Sequence, residues 1–360
     1  MRFRRSLQSL PCAVAAIALA AATAVGAQAQ DSRGPQYRLV KKVVLGGEGG
    51  WDYFTADPDT HRVFIARGSY VMVVDPDGNV VSKIDMGKDN EAHAVVFAPD
   101  LGRAFTSNGG GNSVGILDPA TLKVVGEIKV PGRDTDDILY EPATKRIFTM
   151  NGGKGHDATA IDAEKGVVIG SVPLEGKPES AQSDGHGHIY VNIEDKSDLS
   201  EIDAKTLQVT HTWPLAPCQS PSGQSIDRRH SLLIIGCHNG LMEFWDYAHG
   251  KVAGTVPIGP GVDSNRFDPA TGLAFASCGG GDGSITVAHE DSPTAFHVVQ
   301  TIATQKGART MALDTGNHNI YTVTSEFGPP PAPTPQRPHP WPTLKPGTFT
   351  LLIYKLEAQP

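Results

Sequence analysis

Six charged or titratable side chains recur along this chain at a nearly constant interval: Asp52, His93, Asp136, Glu179, Asp263 and Arg309, with Ser222 filling the one neutral place. Successive members, Ser222 included, are 41, 43, 43, 43, 41 and 46 residues apart. Brought to one point, four carboxylates, an imidazole and a guanidinium carry a formal charge of about −3 with the histidine neutral. Carboxylates crowded in this way raise one another's pKa or recruit a cation. The cofactor this set would hold is one divalent metal ion, on ligands drawn from Asp52, His93, Asp136, Glu179 and Asp263. Oxygen donors favour calcium, magnesium or manganese, and His93 brings zinc or iron into range. Such an ion would activate a water or polarise a carbonyl, with Arg309 placed for a substrate carboxylate, which is the chemistry of a lactonase-like hydrolase or a lyase. The plainer reading is a wet surface that collects polar groups without any ligand. Neither a nucleophile-elbow motif nor a paired-cysteine motif supports an enzyme.

These residues converge only if equivalent elements carry them, and the same interval runs through the whole chain. Asp57, Ala98, Glu141, Asp184, Asp227, Asp268 and Asp314 mark seven units of similar length, each rich in glycine turns and β-branched runs. A period near forty residues with this composition predicts the four-stranded blades of a β-propeller. In the second unit the strands are expected at 93–98, 103–107, 113–118 and 123–130, and in the third at 136–140, 146–150, 158–162 and 167–173. Sheets this small bury both faces only by stacking around an axis. The seventh unit supplies strands at 310–314, 320–324 and 349–356 and then stops one strand short. Residues 37–45 resemble the fourth strands elsewhere and are expected to complete that last blade, leaving no open edge.

The expected fold is therefore all-β: one seven-bladed propeller of four-stranded antiparallel blades over residues 30–360, closed by its N-terminal strand. First strands begin, and second strands end, at one mouth of the channel. Ten residues past each anchor lie Arg67, Asn108, Asn151, Glu194, Cys237, Cys278 and Thr324. Asp52 is expected opposite Arg67, His93 opposite Asn108, and Asp136 opposite Asn151. Trp51, His238 and Glu326 adjoin these ends and complete the candidate ligand-binding set. The remaining histidines, among them His61, His188, His318 and His289, read as surface residues of turns and loops. Asp75 to Asn79 opens like a calcium loop but lacks the closing glutamate, since Met86 stands there, so it reads as a turn.

Residues 1–29 read as an export signal: Arg2, Arg4 and Arg5, then an apolar run from Cys12 to Val25, then Ala27-Gln28-Ala29. The run is too short to span a bilayer, so the mature chain has no membrane span and is expected in the periplasm. Without the signal, 28 Lys and Arg face 39 Asp and Glu, a formal −11. A body this acidic repels phosphate backbones and argues against nucleic acid as a partner. The expected partner is a small-molecule or protein ligand, met by a monomer. Export also leaves Cys218, Cys237 and Cys278 in an oxidising compartment. Cys218 enters the fifth blade and Cys237 ends its second strand, which makes them the preferred disulfide. The seventh unit carries an insert over 328–346 with nine prolines between residues 328 and 346. It is too stiff to join a sheet. Its place suggests a lid over the mouth, with Arg337, His339 and Trp341 facing inward, or a docking strap.

The stretches Phe105-Thr106-Ser107-Asn108 and Phe148-Thr149-Met150-Asn151, each followed by a strand ending in Leu117-Asp118 or Ile161-Asp162, resemble the bacterial exported YVTN-repeat propellers, the YncE-like group. The likeness spans about residues 37–357, with departures at Tyr190-Val191-Asn192-Ile193 and Ile235-Gly236-Cys237. The resemblance implies a seven-bladed exported propeller that binds a ligand at its channel mouth, with no catalytic signature attached.

Overall fold

The computed structural model describes residues 36–153, 155–334, 340 and 342–357. The export signal at 1–29 and the inward placement of Arg337, His339 and Trp341 lie outside the described residues. Seven four-stranded antiparallel sheets form a ring, and the inner strands pack around its axis. Blade 1 spans 54–85, blade 2 spans 92–129, blade 3 spans 135–173, blade 4 spans 178–214, blade 5 spans 221–257 and blade 6 spans 262–303. Blade 7 combines Met311–Asp314, Asn319–Thr324 and Thr350–Glu357 with the N-terminal strand Gln36–Val44. That last strand runs antiparallel to Thr350–Glu357 from the pair Gln36 and Glu357 to the pair Val44 and Thr350.

The burial of each strand follows from its place in the blade. Second strands such as Leu232–Cys237 and Leu273–Cys278 are buried along their whole length, because each is covered by sheets on both faces. Outer strands such as Lys123–Lys129 are largely exposed, valines included. Seven clusters of buried side chains fill the seams, one between each pair of adjacent blades. Tyr37 of the N-terminal strand joins the seam between blades 6 and 7, edge-on to Phe275 with ring centroids 5.4 Å apart. The closing strand thus supplies core contacts as well as ladder hydrogen bonds.

A bulge recurs near the start of the inner strand in blades 2 to 6. In blade 2, Ala92 pairs with Asn108 and Ala94 with Ser107, which leaves His93 as the extra residue. Asp136 and Asp137 stand together against one partner position in blade 3, Glu179 and Ser180 in blade 4, and Ser222 and Gly223 in blade 5. Asp263 is the extra residue in blade 6. Two residues against one re-aims the bulged side chains away from the plain alternation. This corrects the expected register by one residue: Asn108 faces Ala92 and Asn151 faces Thr135, not His93 and Asp136.

Blade 6 departs from the repeat. Its outer hairpin, Ser284–Ser292 and Ala295–Ala303, has nine-residue strands where the corresponding strands of blades 2 to 5 have six or seven. His289, expected in a turn or loop, is therefore on a strand together with Asp291, and it pairs across the hairpin with His297. Cys218 and Cys237 are joined by a disulfide, with Cα atoms 5.4 Å apart, and Cys278 is a buried free thiol. Among the described residues no helix is long and apolar enough to cross a membrane.

Candidate functional site

The recurring residues form two linked groups of polar and charged side chains around the mouth. Ser222 donates to Asp263 at 3.3 Å, and Asp263 meets Arg309 Nε at 2.5 Å. Arg309 Nη2 reaches Asp52 at 3.4 Å, and the other Asp52 oxygen lies 2.6 Å from His93 Nδ1. The same imidazole nitrogen stands 3.5 Å from Asp136. On the far side of the ring, Lys177 bridges Glu179 at 2.8 Å and Glu194 at 2.6 Å. Asp52, His93 and Asp136, from three successive repeats, each offer a ligand atom within 4.8 Å of the other two. Glycine makes room for the imidazole: a Cβ at Gly109 would stand 2.6 Å from His93 Nε2.

Burial dominates the electrostatics. Loss of solvent and the nearby Asp52 charge drive the Asp136 carboxyl well above the usual carboxylate range. Burial likewise lifts Glu179 to about 7 against the opposing pull of Lys177, and raises Asp263 against Arg309. Burial alone would discharge His93, but its hydrogen bond to Asp52 and the charges of Asp136 and Asp52 outweigh that and push it up to about 9. Near neutral pH the imidazole is therefore a cation held between two acids. Counting Asp52, Asp136, Glu179, Glu194 and Asp263 against Arg309, Lys177 and protonated His93, acids outnumber bases by two when all the acids are ionised.

Three groups escaped the sequence reading. Lys177 stands two residues before Glu179, a spacing that places both on one side of extended backbone. Tyr53 follows Asp52 and is held among the charges of Asp263, Glu179, Asp136 and Asp52. Burial first, and those charges second, keep its hydroxyl protonated. Tyr53 also lines a cavity of about 350 Å³ within the channel, together with Asp137, Gln182, Gln224, Arg228 and Arg266. Asp137, the second residue of its bulge, was passed over because it falls between the counted positions. Its carboxyl is raised to about 6 by burial and accepts the Ala181 amide.

Other expected members stand elsewhere. Arg67 is almost wholly buried and does not face Asp52. It donates to the carbonyls of Gly49, Gly50 and Glu48 at 2.7 to 3.0 Å and stacks 3.7 Å over the Phe349 ring. It fastens the 46–50 loop to the sheet. Asn108 and Asn151 are buried in hydrogen bonds with Thr106 and Ser113, and with Thr149 and Thr159. Trp51 packs on Phe349 and offers its carbonyl to Arg309, so it supports the ring from behind. His238 is exposed in the turn after Cys237. Glu326 pairs with Lys345 at 3.1 Å and lines a groove at the root of the insert with Lys42, Asp282 and Phe327. The described ends of the insert meet through a bridge between Phe327 and Leu344, both packed on the seam between blades 7 and 1.

No family model matches the chain, and no curated protein matches it. Among solved structures it is similar to a chain in the crystal structure of a mitotic checkpoint complex, with a TM-score of 0.71 and 14% identity over 96% of this chain and 99% of that one. At that identity the likeness is one of fold, and the fold is the seven-bladed β-propeller.

Proposed function

We propose that this protein is an exported, monomeric propeller of the YVTN-repeat, YncE-like group that binds a cation at its acidic channel mouth, in the periplasm. The observation that carries the reading is the approach of Asp52, His93 and Asp136 to within 4.8 Å of one another. One imidazole and two carboxylates suit a divalent metal ion such as zinc, manganese or iron, and three protein ligands leave coordination positions for a small molecule or for a side chain of a protein partner. The flanking Glu179, Asp263, Arg309 and Lys177 would then select what approaches those positions.

Metal analysis of the purified mature protein, beside its Asp52→Ala and His93→Ala forms, tests this. The expected result is close to one divalent ion per chain more in the parent than in either variant. A parent protein that takes up no stoichiometric metal, or variants that take up as much, would overturn it. A hydrolase or lyase at the same site ranks second. It requires Arg309 to meet a substrate carboxylate, yet that guanidinium already holds Asp263 and Asp52.

A further inference from the structure

At the opposite ends of the inner strands, the molecule offers its own controls for a second site. Between blades 7 and 1, Asp314 meets His61 at 2.8 Å, and between blades 6 and 7, Asp268 meets His318 at 2.6 Å. Each of these seams sets one carboxylate against one imidazole sent from the following blade. The seam between blades 5 and 6 is built differently. The place corresponding to His61 and His318 is Gly272, and no imidazole crosses from there. Asp227 instead faces His230 of its own blade at 2.7 Å, and blade 6 sends a second carboxylate, Glu290, which comes within 2.6 Å of the same Nδ1. Glu290 is carried there by the lengthened outer hairpin of blade 6.

Charge is out of balance at this point. Asp227 and Glu290 are 3% and 8% exposed, and among the described residues no lysine or arginine pairs with either. Neither Glu290 oxygen, nor His230 Nδ1, makes an aligned hydrogen bond despite the short approach. Two buried carboxylates on one imidazole are costly unless a cation or a shared proton joins them. Asp227 Oδ1 accepts the Arg229 amide, which leaves Oδ2 facing the cluster. The three donor atoms lie within 4.8 Å of one another. Donors about 2 Å from a common ion sit roughly 3.3 Å apart, so small side-chain rotations would seat one.

We infer that Asp227, His230 and Glu290 form a second metal site, a clip that ties blade 5 to blade 6 through a divalent ion of the zinc, cobalt or manganese class. A clip of this kind binds the folded ring and not the unfolded chain, so it raises stability by mass action. It is independent of the channel mouth, since it shares no residue with it.

The test uses the mature chain carrying Asp52→Ala and His297→Ala, which disable the mouth and the exposed cluster of His289, Asp291 and His297 on the other face of the same hairpin. Cobalt(II) serves as the probe. This protein should bind one ion per chain, with a visible ligand-field spectrum and a raised midpoint of thermal unfolding. Adding Glu290→Gln should weaken cobalt binding by about 100-fold or more and abolish the rise in midpoint. It should leave the metal-free protein folded and at least as stable, because one buried charge is gone. Failure of the parent variant to bind cobalt, as a proton shared between Asp227 and Glu290 would give, overturns the inference. So does unchanged cobalt binding after Glu290→Gln.

Discussion

Asp52 joins two of the three cations of the mouth, with Arg309 on one oxygen and His93 on the other. The consequence for His93 is a pKa raised to about 9 by its acidic neighbours against the effect of burial. A folded-state value above the ordinary 6.5 means that this interaction stabilises the protein fully below about pH 6.5 and is lost as pH rises through about 9. The same proton must leave before the imidazole can ligate a metal. Metal affinity at the mouth should therefore climb by about tenfold per pH unit between about pH 6.5 and 9, and then level off. Titration calorimetry across that range, repeated with His93→Gln, checks the slope. A flat profile in the parent would remove His93 from the ligand set. The types of these residues were legible from their interval, because four carboxylates at one phase of a repeat must meet at one end of a ring. Their orientation was not. A bulge adds a residue without disturbing a period of forty, and His93 or Asp263 in a bulge looks no different from either residue in a regular strand.

Strands were legible where alternation and turn residues agree. The second strand expected at 103–107 is Arg103–Asn108, and the outer strand expected at 167–173 is Val167–Pro173. The lengthened hairpin of blade 6 was not, because His289 to Asp291 has the composition of a polar loop and only its partner strand through His297 holds it extended. The Cys218–Cys237 disulfide closes a span of 19 residues between the loop entering blade 5 and the end of its second strand. Closing a span of that size restricts the unfolded chain by about 3 kcal/mol. The double replacement of both cysteines by serine should cost roughly that much in chemical denaturation, with a steeper dependence on denaturant because the unfolded chain is released to expand. A loss well under 1 kcal/mol would show that the bridge is incidental to blade 5.

The ring depends on a strand from one end of the chain meeting strands from the other. Gln36–Val44 covers the edge of Thr350–Glu357 and places Tyr37 in the seam with Phe275. Deleting residues 36–44 uncovers that edge and removes a buried tyrosine, an aromatic truncation that alone costs about 3 kcal/mol or more. The shortened protein should unfold at a much lower denaturant concentration and self-associate through the bare strand, visible by light scattering. A monomer of parental stability would mean that the other six blades hold the ring without it.

Because Gln36 and Glu357 are direct ladder partners, residues 36–357 trace a circle in all but one covalent link. A short bridging peptide between those two positions would supply it. The backbone could then be cut in the connection between any two neighbouring blades, giving rearranged chains with new first and last residues and every sheet intact. Where the gene for such a protein starts is, for its architecture, a matter of phase.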